Sequence, residues 1–196
     1  MPLLSRNALN IEWHEVDGLT KTLAVLEDNS KYVAGVFSEK GLYQTSLPQK
    51  TLKKAIESVH GRHLERDDSL KYTRILAKVY TVMNGKEASI ESIQFDFSDL
   101  TEKTIHVLKS TMNIPKGETR SYGEVALEAG LPNAARFVGS VMASNRFAPL
   151  IPCHRVVASN GLGGYGPGLS MKRALLSLES ARIADFKHKK VDSRID

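Results

Sequence analysis

The sequence contains a single cysteine, Cys153, among its 196 residues. One thiol cannot form an internal disulfide, and by itself it cannot supply the several cysteine ligands of a structural zinc site. No apolar run approaches the roughly 20 residues that a membrane-spanning helix needs, and the N-terminal residues lack the apolar core of a secretory signal. These absences predict a globular protein that stays inside the cell, without a disulfide scaffold, a zinc finger or a membrane anchor.

Acidic residues are absent from one long stretch of the chain. The net charge is +5, and the second half of the sequence carries all of the excess. Fifty residues between Glu128 and Glu179 include no aspartate or glutamate. A stretch of this kind is typical of a surface that binds a polyanion such as a nucleic acid. A mildly basic surface without a binding partner has the same composition. The stretch holds seven of the fourteen glycines and the positive residues Arg136, Arg146, Arg155, Lys172 and Arg173.

The first half of the chain predicts a small α/β unit. Short β-rich runs between turn residues predict an antiparallel meander, and apolar residues at helical spacing predict two amphipathic helices. A further run that alternates apolar and polar residues predicts a strand that leads out of the unit. The predicted strands are 20–27, 31–37, 42–47 and 90–97, and the predicted helices cover 52–59 and 72–83.

The second half begins with two predicted helices. Apolar residues at helical spacing indicate the first helix over 100–112. Ser121 and Glu124 have the spacing of a capping box, in which each side chain bonds the backbone amide of the other residue. A second helix is therefore expected from Tyr122 to about Ala129.

A third helix is predicted after a short turn that contains Gly130, with Asn133 as its N-cap and Ser144 near its end. Two helices joined in this way are typical of a helix-turn-helix. Small side chains on the outer face allow close approach to a duplex, and a guanidinium can enter a groove or a base stack. An alanine-rich surface helix without a partner has the same pattern. The inner face is Phe137, Val138, Val141 and Met142, and the outer face is Arg136, Ser140 and Ala143.

The run 151–157, IPCHRVV, predicts a short β-strand that carries the only thiol, and a glycine-rich loop follows at 161–168. A buried cysteine on a strand is normally a small apolar residue. A neighbouring histidine, a basic setting that favours the thiolate, and glycines that let backbone amides approach a ligand indicate a nucleophile instead. Because successive strand residues point to opposite faces, His154 would reach the sulfur through a water, with Glu179 orienting the imidazole.

Four segments carry a resemblance to a known family. They are IPKGETRSYGEVA, AARFVGSVMASN, IPCHRVV, and GLGGYGPGL followed by KRALLSLE, in this order. Together they resemble the O6-alkylguanine-DNA alkyltransferases, also called methylated-DNA–protein-cysteine methyltransferases, over about residues 95–182. The resemblance implies an RNase H-like α/β domain with a small antiparallel sheet over 1–97. It also implies a mainly α domain of the winged helix-turn-helix type over 98–185 and a basic tail over 186–196.

The activity that the resemblance implies is direct-reversal DNA repair with a single turnover. The damaged guanine rotates out of the duplex into a pocket, and Cys153 attacks the O6-alkyl carbon after activation through a water by His154 and Glu179. The partner is double-stranded DNA that contains O6-alkylguanine, with O4-alkylthymine as a second candidate substrate. No cofactor, metal or membrane is implied, and the protein is expected to be a monomer that can bind DNA cooperatively, in the cytoplasm or in a eukaryotic nucleus.

The resemblance also implies roles for individual side chains. Arg136 would fill the gap in the base stack, with Ala135, Ser140 and Ala143 on the same DNA-binding helix. Tyr122 would assist rotation of the base and later protonate the leaving guanine. Asn145 would brace the turn before the active-site cysteine, and Arg155 would be structural. The implied pocket residues are Met142 at the alkyl group, Val156 with its carbonyl at the exocyclic amine, and Tyr165 and Gly166 near O6.

The chain departs from the family pattern where many members have Pro-x-Pro, because it has Arg146, Phe147 and Ala148 there. One wall of the pocket and the acceptance of bulky alkyl groups are therefore expected to differ. Gly166, where some members have serine, offers only its backbone amide. The single cysteine excludes the structural zinc and the metal-binding phosphotriester sensor of some relatives.

Three other classes of protein remain as alternatives. A winged-helix transcription factor would explain the helix-turn-helix but not the Pro-Cys-His-Arg run. A thiol hydrolase would explain Cys153 but not the helix that carries Arg136. An alkyltransferase-like damage sensor without repair activity would have another residue in place of the cysteine.

Overall fold

The computed structural model describes residues 21–60 and 63–180. They form two compact units. The first contains the residues up to Ala77 together with Glu91–Asp96, and the second contains Lys78–Ile90 and the residues from Phe97 onward. The predicted basic tail, 186–196, lies outside the described residues.

The first unit is built on a four-stranded sheet. Its strands are β1 (Thr22–Asp28), β2 (Lys31–Ser38), β3 (Gly41–Thr45) and β4 (Glu65–Arg66), in the order β3-β2-β1-β4. The three strands of the predicted meander are confirmed, and both of their pairings are antiparallel. The sheet as a whole is mixed, because β4 pairs with β1 in parallel. The expectation of a purely antiparallel sheet was therefore wrong.

A tight turn fixes the register of the first hairpin. Asn29 and Ser30 both have positive φ angles, 49° and 59°, as the two-residue turns that match strand twist require. Asp28 consequently pairs with Lys31, and the register continues to Thr22 opposite Phe37.

Two helices follow the meander in sequence, as predicted: α1 (Leu52–Ser58) and α2 (Leu70–Met83), of which the residues from Lys78 onward belong to the second unit. The apolar core beside α1 consists of buried side chains from β1, β2, the middle of α1 and its C-cap, namely Leu23, Val25, Ala34, Val36, Ala55 and Val59.

The strand predicted over 90–97 is wrong. Only Phe95 forms a bridge, with Leu42, whose N–H donates to the Gln94 carbonyl and whose carbonyl accepts from the Asp96 N–H. Asp96 is nevertheless buried, and its side chain accepts a 2.5 Å hydrogen bond from the Ser38 hydroxyl. The two buried residues of the segment, Ile93 and Asp96, lie three residues apart, so its burial does not follow the two-residue period of a strand.

The second unit is mainly helical. Its helices are α3 (Glu102–Met112), α4 (Tyr122–Glu128), α5 (Ala135–Ala143) and α6 (Leu169–Leu178). The two short strands β5 (Arg120–Ser121) and β6 (Val156–Val157) pair in parallel. Among the described residues, no helix is both long enough and apolar enough to span a bilayer.

N-terminal caps were predicted for two helices of this unit, α4 and α5. Ser121 accepts a hydrogen bond from the Glu124 N–H, and the Glu124 carboxylate accepts one from the Ser121 N–H, so the capping box is confirmed. Asn133 as the N-cap of α5 was wrong, because the cap is Ala134, which makes no side-chain cap bond. Asn133 has a φ of 66° instead, a left-handed conformation that asparagine tolerates better than most residues.

We predict that Ser121→Ala lowers the free energy of unfolding by about 1 kcal/mol, the usual effect of removing an N-cap hydroxyl. The substitution leaves the Glu124 N–H without its side-chain acceptor. Urea denaturation of the full chain measures the effect, and Ser177→Ala, at an exposed position in α6, is the matched control. Equal losses for the two variants would contradict the role of the cap.

Candidate active site

Cys153 lies on a short helical turn, Cys153–Arg155, directly before β6. The prediction that the cysteine lies on the strand was therefore wrong, and so was the argument that Cys153 and His154 point to opposite faces of a strand. Pro152 precedes the turn and has no N–H to pair with a neighbouring strand, while the Arg155 N–H donates back to the Pro152 carbonyl at 2.9 Å. Both Cys153 and His154 are buried.

Asn145 holds the segment that leads to the cysteine. Its Nδ2 donates to the Ile151 carbonyl at 2.9 Å, and its Oδ1 accepts from the Phe147 N–H at 3.0 Å. The Ile151 carbonyl also accepts from the Cys153 N–H at 2.8 Å. One amide side chain thus ties the residues after α5 to the backbone at the nucleophile.

Glu179, the C-cap of α6, joins His154 to Arg155. Its Oε1 accepts from His154 Nε2 at 3.1 Å and from Arg155 Nη2 at 2.8 Å, and its Oε2 accepts from Arg155 Nε at 3.0 Å. Arg155 also donates through Nη1 to the Ile114 carbonyl at 2.7 Å. The two predicted partners, His154 and Glu179, are in direct contact, and Arg155 completes the network.

The charges of this network determine which nitrogen of His154 is basic. Burial alone would raise the pKa of Glu179, but hydrogen bonds from His154 and Arg155 lower it to about 2, so the group is a carboxylate. Burial lowers the pKa of His154 despite the nearby carboxylate, so the imidazole is neutral. Because a carboxylate only accepts, Nε2 carries the proton and Nδ1 has a free lone pair. Nδ1 is buried and has no hydrogen-bond partner among the described residues.

The thiol itself is not in a setting that favours the thiolate at rest, contrary to the expectation from the basic sequence. Burial raises the pKa of Cys153, and this effect outweighs the Asn145 side chain and the charge of Lys172, which both lower it. The resting group is therefore a protonated thiol. A proton acceptor such as Nδ1 of His154 is needed to activate it.

Lys172 is a site residue that the motif analysis did not identify. Its side chain is fully buried, and Nζ donates to the carbonyls of Val156 at 2.5 Å and Gly164 at 3.1 Å. The spacing contained a signal for it: Lys172, Leu175, Leu176 and Glu179 follow the i, i+3, i+4, i+7 pattern of one helix face, and all four are buried. The basic character of Lys172 instead suggested a surface position.

Tyr122, at the start of α4, contacts the glycine-rich loop. Its hydroxyl donates to the Gly164 carbonyl at 3.4 Å. Gly163 has a φ of 67°, and a Cβ there would lie 2.8 Å from both the ring and the hydroxyl oxygen of Tyr122. Only glycine therefore allows this contact. Burial raises the pKa of Tyr122, so the phenol keeps its proton at neutral pH.

Tyr165 and Gly166 differ in exposure although they are adjacent in the loop. The Tyr165 hydroxyl is buried without a hydrogen-bond partner among the described residues, and burial raises its pKa. Gly166 is exposed, and a Cβ at this position would meet no atom within 4 Å.

The predicted DNA-binding residues lie on α5 as expected from its periodicity. Arg136, Ser140 and Ala143 are exposed, Ala135 is half-buried, and the opposite face buries Val138 and Val141. The half-buried Met142 side chain places its sulfur 3.7 Å from the Thr111 hydroxyl oxygen of α3, and that hydroxyl donates to the Val107 carbonyl at 2.8 Å.

Arg146, where many family members have proline, forms a bidentate ion pair with Asp99. Nη1 lies 2.7 Å from Oδ2, and Nη2 lies 2.5 Å from Oδ1. Phe147 is fully buried and packs edge-to-face on Phe97, with ring centroids 5.3 Å apart. A cavity of about 240 Å³ lies beside this segment, lined by Leu100, Thr104, Leu108, Val141, Ser144, Asn145, Arg146 and Phe147.

Histidine, cysteine and carboxylate side chains of the described residues form no group of three or more that could hold a metal ion. The chemistry that these residues support is that of a buried thiol with a neutral histidine as its base.

Comparison with known proteins agrees with this geometry. Residues 102–181 match the family model described as 6-O-methylguanine DNA methyltransferase, DNA binding domain. A methylated-DNA–protein-cysteine methyltransferase of Mycobacterium tuberculosis is 53% identical over 77 residues, which are 39% of this chain and 47% of the relative. The chain thus spans about half the length of this relative. The enzyme of the same name from Saccharolobus islandicus is 36% identical over 124 residues, 61% of this chain and 76% of the relative.

A solved structure supports the same relationship. The Mycobacterium tuberculosis OGT in complex with DNA has a TM-score of 0.63 and 30% sequence identity, over 81% of this chain and 92% of that chain. The fold and the site therefore define a protein with a DNA-binding domain of the 6-O-methylguanine DNA methyltransferase type. The chain belongs to the methylated-DNA–protein-cysteine methyltransferase family, the O6-alkylguanine-DNA alkyltransferases.

We predict that Glu179→Gln lowers the free energy of unfolding at pH 7 by roughly 3 kcal/mol, because it leaves the largely buried Arg155 charge without its carboxylate. The pKa of Glu179 is lowered from 4.5 to about 2 in the folded state, so its contribution is complete above the unfolded pKa and is lost as the pH falls towards 2. The difference in the free energy of unfolding between wild type and variant should therefore become smaller below pH 4.5.

Urea denaturation at several pH values measures this gap. Glu128→Gln, which removes an exposed carboxylate 3.4 Å from Arg120, is the control and should change the free energy by less than about 1 kcal/mol. A gap that stays constant down to pH 3 or below would contradict the assigned charge state of Glu179.

Proposed function

We propose that this protein repairs alkylated DNA by direct reversal, moving an alkyl group from O6 of guanine in duplex DNA to Cys153. The observation that carries the proposal is a neutral, buried His154 adjacent in sequence to the only thiol, with its basic Nδ1 unpartnered among the described residues. The family of the chain supplies the substrate class, since its members are named for transfer from methylated DNA to a protein cysteine.

The transfer is an in-line displacement at the alkyl carbon. The Cys153 sulfur forms a bond to that carbon while the bond from the carbon to O6 breaks. The thiol proton passes through a water to Nδ1 of His154, and the Glu179 carboxylate stabilises the imidazolium that forms. Tyr122 donates its proton to the leaving guanine, and the proton on His154 then returns to the tyrosinate through solvent.

The exposed face of α5 is the proposed DNA contact. Arg136 would enter the base stack from the minor groove in place of the rotated guanine, and Ala135, Ser140 and Ala143 are small enough for the helix to approach the backbone closely. Support comes from the exposure of this face and from the match of residues 102–181 to a DNA-binding domain. We propose double-stranded DNA with O6-alkylguanine as the partner of a monomeric protein that can bind cooperatively.

The rotated base would lie between the turn of the nucleophile and the glycine-rich loop. The Val156 carbonyl would accept from the exocyclic amine, Tyr165 and the Gly166 amide would lie near O6, and Met142 would line the alkyl pocket. The buried, unpartnered hydroxyl of Tyr165 supports this arrangement, because such a group calls for a hydrogen-bonding partner that a bound ligand can supply. O4-alkylthymine is a second candidate substrate.

The reaction is expected to occur once per molecule. A thioether has no easy leaving group, and the chain has no second cysteine that could displace the alkyl group. No cofactor takes part in this scheme. We propose that the protein is located in the compartment that contains the DNA, which is the cytoplasm or, in a eukaryote, the nucleus.

The finer description of the fold also belongs to the proposal. The sheet with α1 and α2 would be an RNase H-like domain, and the α4-turn-α5 segment with its small β5-β6 pair would be a winged helix-turn-helix. Domain limits of 1–97 and 98–185 follow the family pattern, although Lys78–Ile90 belongs to the second compact unit.

Cys153→Ala is expected to abolish transfer while retaining binding to the lesion. The intact mass of the wild type should rise by one methylene group after incubation with a duplex that contains O6-methylguanine, and the variant should show no change. An undamaged duplex of the same sequence is the control. Repair of more than one lesion per protein molecule, or methyl transfer by the variant, would contradict the proposal. Catalytic hydrolysis of a small ester would instead indicate a hydrolase, and DNA binding without transfer would indicate a regulator.

Arg136→Ala should slow repair of duplex DNA by about tenfold or more while leaving reaction with free O6-benzylguanine unchanged, because the free base needs no gap to be filled in a stack. Single-turnover rates with both substrates give the comparison. Lys53→Ala, an exposed substitution on α1 that removes the same charge, is the control. An equal slowing of both reactions by Arg136→Ala would refute the stacking role.

A further inference from the structure

The segment that joins α5 to the Cys153 turn borders a cavity. Three consecutive residues of this segment, Asn145, Arg146 and Phe147, all line the cavity of about 240 Å³. Side chains that border a cavity lose part of the contacts that a filled interior would give them, so packing on that side does not fix their positions. Restraint on this side of the segment has to come from directed interactions.

The directed interaction at Arg146 is its ion pair with Asp99, which lies two residues before Thr101, the N-cap of α3. Nη1 and Nη2 of the guanidinium each engage one carboxylate oxygen, at 2.7 Å and 2.5 Å. A bidentate pair of this kind fixes the orientation of the guanidinium as well as its distance. The Arg146 side chain is 15% exposed and that of Asp99 is 47% exposed, so Asp99 can be substituted with little disturbance of the core.

Asn145, the neighbour of Arg146, is in contact with the backbone of the nucleophile. Its Nδ2 donates to the Ile151 carbonyl at 2.9 Å, and the same carbonyl accepts from the Cys153 N–H at 2.8 Å. Burial raises the pKa of the Cys153 thiol, and the hydrogen bond of the Asn145 side chain is the largest effect that opposes it. The orientation of Asn145 therefore influences both the position and the proton affinity of the sulfur.

We propose that Asp99 is a positioning residue for the nucleophile Cys153. Its ion pair with Arg146 restrains the segment in which Asn145 holds the backbone of the nucleophile's turn. The inference rests on the proposed function, because it concerns the alignment of the sulfur with the alkyl carbon. Alignment matters for such a displacement, since a misplacement of about 1 Å can slow a chemical step by about a hundredfold.

The test is Asp99→Asn, which keeps the shape of the side chain and removes its charge. The variant should transfer the methyl group about fivefold more slowly, a factor that corresponds to the upper end of what a partly exposed ion pair contributes. Because each molecule is expected to react once, the endpoint counts the folded molecules and the rate constant reports the transfer. A time course of intact mass measures both, and we expect a slower rate with a complete endpoint.

Two substrates separate an effect on the thiol from an effect on DNA binding. Asp99→Asn should slow the reactions with free O6-benzylguanine and with duplex O6-methylguanine by the same factor, because both use the same nucleophile. This pattern differs from that of Arg136→Ala, which is expected to slow only the duplex reaction. The affinity of Asp99→Asn for an undamaged duplex, measured by fluorescence anisotropy, should equal that of the wild type.

Further variants identify the ion pair as the cause. Asp99→Glu keeps the carboxylate and should recover part of the rate. In an Arg146→Met background, Asp99→Asn should cause no further slowing, because Asp99 acts through Arg146. Asp99→Asn and Asp99→Glu carry the test if Arg146→Met does not fold. The matched control is Glu118→Gln, which removes a carboxylate of similar exposure, 50%, that lies 2.9 Å from Arg120, and it should react at the wild-type rate.

The outcomes separate this inference from the proposed function. If the wild type transfers no alkyl group to Cys153, the proposed function fails. If the wild type transfers the group but Asp99→Asn keeps its rate constant, loses only endpoint, or slows with the duplex alone, the role of Asp99 is refuted while the repair function stands. Additive slowing in the double variant, no recovery in Asp99→Glu, or an equal slowing by Glu118→Gln would also refute it.

Discussion

The buried carboxylate of Glu179 is the interaction on which the rest of the site depends. It accepts from His154 on one side and from Arg155 on the other, and Arg155 reaches on to the Ile114 carbonyl. Because the carboxylate must accept from Nε2, the basic nitrogen of His154 is Nδ1. The electrostatics of one group at the end of α6 thus select the tautomer that a buried, protonated Cys153 needs as its base.

Helix α6 contributes a second buried charge, and the two have different roles. Glu179 is paired with a cation and fixes a protonation state, whereas Lys172, two turns earlier, is paired only with carbonyl dipoles and restrains backbone. Both lie on the face of the helix that packs inward with Leu175 and Leu176. A helix that presents apolar and charged groups on one face can therefore act as a rigid support for the turn of Cys153.

The segment between α5 and the nucleophile uses other interactions than the family pattern suggests. In place of a proline, Arg146 pairs with Asp99 through two hydrogen bonds, and Phe147 fills the core against Phe97. An ion pair and an aromatic contact hold this turn, and Asn145 joins it to the Ile151 carbonyl. A proline would restrain the backbone φ through its ring. Here the contacts of Arg146 and Phe147 rely instead on side chains distant in sequence.

The features that the sequence determined are those set by neighbours a few residues away: the β1-β2 hairpin, the capping box of Ser121 and the exposed face around Arg136. Local periodicity and turn chemistry suffice for these because the interacting groups lie within one or two turns of chain. The helical turn at Cys153 and the inward position of Lys172 were decided by tertiary structure. Their partners lie far along the chain or in backbone carbonyls, whose positions no side-chain pattern encodes, and burial raises the pKa of the thiol and lowers that of the ammonium.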